Sequence, residues 1–334
     1  MMIKTSHPKL TLLAAALAAT VFSSPVLAAP VVLGANSSAT AGSPPVTATP
    51  STNSNAGYEG SYSQISDAQG DGSANAFANS YGAYAVRSMA EGKASGAAQA
   101  QLTYTLTNNS GVAQAYSMSF YVYGGSINTS LNTFNNITAT LSAGESLAAQ
   151  YAASVKVNGV SKFSSTASIL KTDSGTTYTK TGTDLNSSDD GSDGFYSWSG
   201  DYFNIDLGTL GVGESLTVLA ELDDSTLSDV GTYDFGAGGG GNGCYGGGYG
   251  LFSADSDTNA TAPPLLCFKG QGSAFYGDPT EFFGSANTGS GTTQTTFSNV
   301  PVGNAVPEPA SLPLIALALA GAAASTRRRK LPQA

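Results

Sequence analysis

The chain has 334 residues and a formal net charge of −10 at pH 7, with 23 acidic and 13 basic residues. This acidity disfavours nucleic acid and anionic lipid as partners, because both are polyanions. The single histidine, His7, lies close to the N-terminus. The rest of the chain therefore lacks the imidazole on which Ser-His-Asp triads, Cys-His pairs and histidine-ligated zinc sites depend.

Residues 1–28 have the layout of a secretory signal peptide. A basic start precedes an apolar run over residues 10–22, and the small side chains of Val26 and Ala28 are placed for cleavage after Ala28. The run is shorter than the ~20 apolar residues of a permanent membrane span. We therefore predict export through the Sec machinery and removal of this segment, with a retained membrane anchor as the alternative.

Residues 29–75 consist mainly of Ser, Ala, Gly, Asn, Thr and Pro, with few large apolar side chains. Such a segment buries too little apolar surface to offset the entropy lost on ordering. The composition predicts a disordered, flexible N-terminal arm. The folded domain is then expected over residues 76–300.

Alternation of apolar and polar residues is the dominant pattern of this domain. Two alternating runs, 102–106 and 116–122, flank the turn sequence Asn-Asn-Ser-Gly at residues 108–111. A period of two residues is typical of strands with one buried face, and the turn between the runs predicts a β-hairpin.

The tetrapeptide Gly-Glu-Ser-Leu occurs twice, at residues 144–147 and 213–216, each time between two alternating runs. The strand after the first copy is long and ends at Asn158-Gly159. We interpret the copies as equivalent hairpins of a two-sheet structure. The sequence predicts an all-β fold, an antiparallel two-sheet sandwich that is jelly-roll-like or immunoglobulin-like, with apolar helices only at the two termini.

Acidic turn segments are the only candidates for a metal site. Oxygen-rich turns can bind calcium, but the spacing of an EF-hand loop is absent from each. We predict solvated acidic loops and no cofactor, and calcium remains the alternative. The aspartates concerned are Asp189, Asp190, Asp193, Asp255 and Asp257.

Paired carboxylates could also act on a glycosidic bond, which needs two such groups ~5–9.5 Å apart. Asp223 with Asp224, and Glu214 with Asp201, are the available pairs. Any acidic protein offers pairs of this kind, so they carry little weight. Trp198 could stack on a sugar, but we predict that it belongs to the core.

Cys244 and Cys267 are the only cysteines, and both lie in the exported part. In an oxidising compartment we predict that they form one disulfide, with two free thiols as the alternative. The glycine-rich run at 236–250 is interpreted as a loop held by that disulfide. An adhesive Gly/Tyr surface is the other interpretation.

The C-terminus contains a short motif, an uncharged stretch over residues 310–325 and a basic cluster. A helix in this stretch would cover about 20 Å, less than the ~30 Å core of a bilayer, and the basic residues would stay inside. This predicts a transient stop in the inner membrane. The motif and cluster are Val306, Pro307, Glu308 and Pro309, then Arg327, Arg328, Arg329 and Lys330.

This arrangement over residues 301–334 resembles the PEP-CTERM sorting signal of Gram-negative bacteria. The resemblance implies processing by exosortase, a membrane-embedded cysteine transpeptidase. It also implies a destination at the cell surface or in the extracellular matrix of a bacterium that makes exopolysaccharide or biofilm. An ordinary C-terminal anchor behind a proline-rich linker is the alternative.

Three hypotheses for the exported body follow. The leading one is a non-enzymatic structural protein of the surface or matrix, with exopolysaccharide as its partner. The second is a carbohydrate- or calcium-dependent adhesive module. The third is a glycoside-acting enzyme.

Overall fold

The computed structural model describes residues 32–55, 57–80, 82–134, 136–187, 191–234, 266–277 and 295–302. Within these ranges the chain forms strands and turns, with no helix. The first strands are β1 (Val32–Ala41), β2 (Val46–Thr47), β3 (Ser51–Asn55), β4 (Tyr58–Asp67), β5 (Gly70–Asn79), β6 (Tyr84–Thr107), β7 (Gln114–Val122), β8 (Gly125–Leu131), β9 (Thr133–Phe134) and β10 (Ile137–Thr138). The others are β11 (Ser146–Val157), β12 (Val160–Thr172), β13 (Gly175–Gly182), β14 (Phe195–Trp198), β15 (Asp201–Leu210), β16 (Ser215–Asp229), β17 (Thr232–Asp234), β18 (Leu266–Phe268), β19 (Gly270–Gly277) and β20 (Thr295–Pro301).

Strand β6 belongs to two sheets, because its two halves have different neighbours. Residues 93–107 lie between β1 and β16, whereas residues 84–92 lie between β5 and β19. Gly92, at the junction, has a φ of +70°, a conformation that glycine adopts readily and other residues rarely do. Sheet I has the strand order β2-β1-β6-β16-β11-β12-β13, and sheet II has the order β3-β4-β5-β6-β19-β8-β14.

A third sheet, sheet III, has the order β15-β7-β20 and packs with β8, β14 and β19 against the inner face of sheet I. Phe163 of β12 contacts Phe120 of β7, with ring centroids 5.2 Å apart. Tyr151 of β11 contacts Trp198 of β14, with centroids 4.4 Å apart. All strand pairs are antiparallel, so the predicted all-β, two-layer antiparallel sandwich is confirmed, and the buried Trp198 belongs to its core as predicted.

The prediction of a flexible arm is wrong for residues 32–75. This part of the chain forms β1 to β4 and most of β5, and β1 pairs with β6 along its whole length. The prediction counted apolar volume, but β1 and β5 form backbone hydrogen bonds with β6, and β4 and β3 extend the sheet from β5 in the same way. Residues 29–31 lie outside the described residues.

Small residues allow the two sheets to approach closely in this region. A Cβ atom on Gly72 of β5 would lie 2.6 Å from the carbonyl oxygens of Thr40 and Ser95 in sheet I. Stacked sheets normally lie ~10 Å apart, a spacing that side chains fill. Here the facing residues are glycine, alanine and serine, which are too small to hold the sheets at that distance. A composition that suggests disorder therefore permits backbone-to-backbone packing.

The predicted hairpin over residues 102–122 is also wrong, although its buried faces are correct. Residues 102–106 lie in sheet I and residues 116–122 lie in sheet III, so the two strands face each other across the core. The connection is fixed by Asn108, whose Nδ2 donates to the carbonyl oxygens of Val112 at 2.8 Å and Leu210 at 2.9 Å. Alternation reveals which face is buried, but it does not reveal the pairing partner.

The two Gly-Glu-Ser-Leu copies are equivalent turns, but neither closes a hairpin. The first leads from β10 into β11, and the second leads from β15 of sheet III into β16 of sheet I. The hairpin in this part of the chain is the one between β11 and β12. Its turn residues, Asn158 and Gly159, have φ values of 49° and 80°, which a two-residue hairpin loop of this type requires.

The predicted terminal helices, residues 1–28 and 310–325, lie outside the described residues. In the part of the chain that the structure describes, no helix is long and apolar enough to cross a membrane.

Candidate functional site: a polar groove across sheet I

The outer face of sheet I, which points away from the core, carries a groove with a volume of 560 Å³. Six adjacent strands line it, and each contributes one to three residues at the same level of the sheet. The lining consists of residues 36–38 of β1, 97–99 of β6, 223–225 of β16, 150–152 of β11, 166–168 of β12 and Thr179 of β13.

Strand register explains this arrangement. Two rows of cross-strand partners with outward-facing side chains run from β1 to β13. The first row is Asn36, Gln99, Asp223, Ala152, Thr166 and Thr181, and the second is Ser38, Ala97, Ser225, Gln150, Ser168 and Thr179. Because neighbouring strands lie ~4.8 Å apart, the groove between these rows is about 24 Å long and runs perpendicular to the strands.

Each row contains one alanine, which leaves a low point in the wall of the groove. Ala97 and Ala152 extend only a methyl group from the sheet, whereas Gln99, Asp223 and Gln150 beside them are longer. The depression therefore lies where these two alanines adjoin longer polar side chains on the outer face.

Directed hydrogen bonds orient the polar side chains. Asn36 Nδ2 donates to Gln99 Oε1 at 3.5 Å, and Gln99 Nε2 donates to Asp223 Oδ1 at 2.7 Å. In the second row, Gln150 Nε2 donates to Ser225 Oγ at 2.7 Å. Gln99 uses both ends of its amide in these bonds, whereas Asn36 and Gln150 each donate through their nitrogen, which leaves their amide oxygens as acceptors.

Asp223 is the carboxylate that faces the groove from its described lining. Burial raises the pKa of Asp223, and the negative charge of Glu221, two residues earlier on the same face, raises it further, although the bond from Gln99 acts in the opposite direction. Glu221 accepts a hydrogen bond from Gln101 at 3.0 Å and forms an ion pair with Lys156. This lysine is already neutralised, so a ligand in the groove meets carboxylate and amide groups.

The first predicted carboxylate pair does not converge. Asp223 faces the groove, whereas Asp224 faces the core and is 4% exposed, because successive side chains of a strand point to opposite faces. Burial holds the pKa of Asp224 well above its usual range, because removal from water disfavours the charged form of a carboxyl group. Among the described residues, Ser88 and the Ala98 backbone act to lower the pKa of Asp224, but neither forms a well-aligned hydrogen bond with its carboxylate oxygens.

The second pair is separated along β15. Asp201 is the first residue of that strand, and its carboxylate accepts hydrogen bonds from the Tyr202 amide at 2.7 Å and from Asn186. Glu214 lies beyond the opposite end, where it accepts a hydrogen bond from the Gly211 amide at 2.7 Å. Ten extended residues place these carboxylates roughly 30 Å apart, too far for two groups acting on one bond.

Of the acidic turn residues, only Asp193 lies among the described residues. Its Oδ1 accepts a hydrogen bond from the Phe195 amide at 2.9 Å, which is a turn-capping contact. Asp189, Asp190, Asp255 and Asp257 lie outside the described residues. Within the described ranges, no group of three or more His, Cys, Asp or Glu residues is close enough to hold a metal ion.

The cysteine and processing residues lie largely outside the described ranges. Cys267 is 4% exposed and disulfide-bonded, whereas Cys244 lies outside. The predicted cleavage residues Val26 and Ala28 also lie outside. The same holds for the C-terminal residues Val306, Pro307, Glu308, Pro309, Arg327, Arg328, Arg329 and Lys330.

Comparison with known protein families identifies the C-terminal segment. Residues 305–329 match the PEP-CTERM protein-sorting motif. The chain carries a PEP-CTERM sorting signal. The resemblance seen in the sequence is thereby confirmed, and the signal marks an exported protein that exosortase processes and that is sorted to the cell surface or extracellular space.

The family match does not extend into the body of the chain. A search of curated proteins finds no match to this chain. The function of the body therefore has to be argued from its geometry.

Sequence reasoning missed the groove residues Asn36, Gln99, Gln150 and Thr166. The segment 97–101, Ala-Ala-Gln-Ala-Gln, carried a signal, because its glutamines alternate with alanines that are 4% and 0% exposed. That alternation predicts a strand with one polar face. Only the pairing of six strands, however, brings this face together with the others.

Proposed function

We propose that the exported body is a non-enzymatic structural protein of the cell surface or extracellular matrix, with exopolysaccharide as its partner. On its way out the chain stops transiently in the inner membrane, where exosortase removes the C-terminal signal. The sorting motif supports this route.

The separation of Asp223 from Asp224 supports the non-enzymatic role. A glycoside-acting site needs two carboxylates on the same side of one bond. Here one carboxylate faces the groove and the other is buried in the core. Two further carboxylates, Glu145 and Glu214, bind backbone amides in turns, so their role is structural.

A localisation experiment tests the structural role. An epitope tag inserted at residues 173–174, an exposed turn between β12 and β13, stays with the body after C-terminal processing. We expect the tag at the surface and in the matrix fraction, and we expect replacement of residues 307–309 by alanine to retain it in the inner membrane. An intact tail at residues 327–334 on surface protein, seen by mass spectrometry, would contradict the processing.

An activity measurement tests the non-enzymatic part. The exported protein, purified as the producing cells release it, should liberate no reducing ends from the exopolysaccharide of those cells. Turnover that disappears in Asp223→Asn would overturn this part of the proposal.

A further inference from the structure

We infer that the groove across sheet I binds an extended, neutral polysaccharide chain. The inference rests on the proposed surface or matrix role, and it assigns to that role a site and a ligand class. It follows from the length of the groove, the chemistry of its walls and its charge.

The groove is shaped for a polymer. It is about 24 Å long, and among the described residues it reaches both edges of sheet I. At one edge, β1 pairs with β2 only at Thr40 and Ala41, so within the described ranges no further strand lies beside residues 36–38. At the other edge, Thr179 lies on the terminal strand β13. A chain in the groove can therefore continue beyond both ends.

The walls are suited to hydroxyl groups. They present amides from Asn36, Gln99 and Gln150, the Asp223 carboxylate and a series of serine and threonine hydroxyls. An apolar ligand would displace the water that hydrogen-bonds to these groups and would offer no hydrogen bonds in return, which is costly. A polyol offers donors and acceptors along its whole length, so it can satisfy them.

Charge selects a neutral chain. The ionisable groups on this part of the face are Asp223, Glu221 and Lys156, and the last two neutralise each other in an ion pair. An anionic polysaccharide would place its charges against Asp223 on a surface that is acidic overall. Like charges brought together in this way disfavour binding and provide specificity.

The test is isothermal titration of the exported protein with neutral oligosaccharides of glucose, mannose, galactose and N-acetylglucosamine, from disaccharide to hexasaccharide. We expect at least one series to bind, with affinity that rises with chain length as more of the six strands are contacted. The uronic-acid oligosaccharides of alginate should bind more weakly.

Substitutions locate the site. Asp223→Ala and Gln99→Ala should each weaken binding by about tenfold or more, because each removes groups that bond to the ligand. Ala152→Trp should abolish binding, because its ring fills the groove from the solvent side of the sheet. Asp229→Ala is the matched control: it removes the same charge from the same face of β16, next to Lys93 and outside the groove, and should leave affinity unchanged.

A second control separates the groove from the aromatic surface of sheet III. Tyr202 there is 63% exposed, with its ring centroid 4.8 Å from that of Tyr121. Tyr202→Ala should leave affinity unchanged. The inference is overturned if no neutral series binds the wild-type protein, if binding survives all three groove substitutions in variants that unfold at the wild-type temperature, or if Tyr202→Ala abolishes it.

Failure of this inference is distinguishable from failure of the proposed function. Protein found in the matrix that binds no neutral chain in vitro would leave the structural role standing and remove the groove assignment. Protein that binds a neutral chain but never reaches the surface would leave the groove assignment standing and remove the structural role.

Discussion

Glu145 and Glu214 occupy equivalent positions in the turns that precede two neighbouring antiparallel strands, β11 and β16. Each lies directly before its strand, and Oε2 of each accepts a hydrogen bond from the amide three residues earlier: Ser142 at 2.6 Å and Gly211 at 2.7 Å. The repeated Gly-Glu-Ser-Leu sequence is therefore a turn device, with glycine at positive φ and glutamate as the cap.

The two glutamates should differ in their contribution to stability. Glu145 also accepts hydrogen bonds from the Gly231 amide at 2.8 Å and from Lys269 Nζ at 2.7 Å, and Lys269 is largely buried. We expect Glu145→Ala to lower the free energy of unfolding by about 2–3 kcal/mol, since the buried Lys269 ammonium loses its charged partner and keeps only its hydrogen bond to Ser142 Oγ. Glu214→Ala, the matched control, should cost less than about 1 kcal/mol. Urea denaturation measures both, and equal losses would contradict the assigned roles.

Glu91 should make stability depend on pH. Burial raises its pKa to about 7, with a further contribution from Asp71, its partner on β5, and an opposing one from the Asn132 hydrogen bond. The unfolded carboxyl titrates near 4.3, so this contribution to stability is complete below that pH and is lost as the pH rises toward 7. The loss is up to about 4 kcal/mol. Denaturation of Glu91→Gln between pH 4 and 8 should show a flatter profile than the wild type, and an unchanged slope would refute the assignment.

Asp224 should also make the stability of the protein fall as the pH rises. Because its folded pKa is raised well above the usual range, the unfolded state releases the proton first and stability falls as the pH increases. Asp224→Asn should therefore gain in stability relative to the wild type with every step from pH 5 to pH 8, as measured by thermal unfolding. Asp229→Asn, an exposed change on the same strand, should show no such trend.

Asn108 should be the most sensitive polar residue of the connection between sheets I and III. It is 0% exposed, and its Nδ2 lies within hydrogen-bond distance of the carbonyl oxygens of Val112, Leu210 and Gly211. We expect Asn108→Ala to cost about 2–4 kcal/mol, because buried carbonyl groups lose their donor. Asn109→Ala, at an exposed position in the same loop, should cost less than about 1 kcal/mol.

Gly72 should be essential for docking of β1 and β5. Its Cβ in Gly72→Ala would meet two backbone carbonyl oxygens that cannot move independently, so the sheets must separate. Limited proteolysis should then cut within residues 32–75, whereas we expect the paired strands of the wild type to resist cleavage there. Gly111→Ala is the control, since nothing lies within 4 Å of its added Cβ. Equal resistance of Gly72→Ala and the wild type would show that the close packing is dispensable.

Local patterns predicted much of this fold. Alternation identified the buried faces of residues 102–106 and 116–122, and Asn158-Gly159 identified the β11–β12 turn, because both depend on neighbours within a few residues. The pairing of these strands depends on which surfaces meet across the core. The first prediction therefore placed residues 102–122 in one sheet, whereas the structure divides them between two.

The sequence by itself determined the route of this protein, since the PEP-CTERM signal is read as a linear order of motif, apolar stretch and basic cluster. It also determined the strand character of the body, through the two-residue period. Only the tertiary structure decided that a segment of small residues is a set of sheet strands, and that Asn36, Gln99, Asp223 and Gln150 line one groove. These residues are up to 187 positions apart in the sequence. The hydrogen-bonded register of β1, β6, β16 and β11 brings them together.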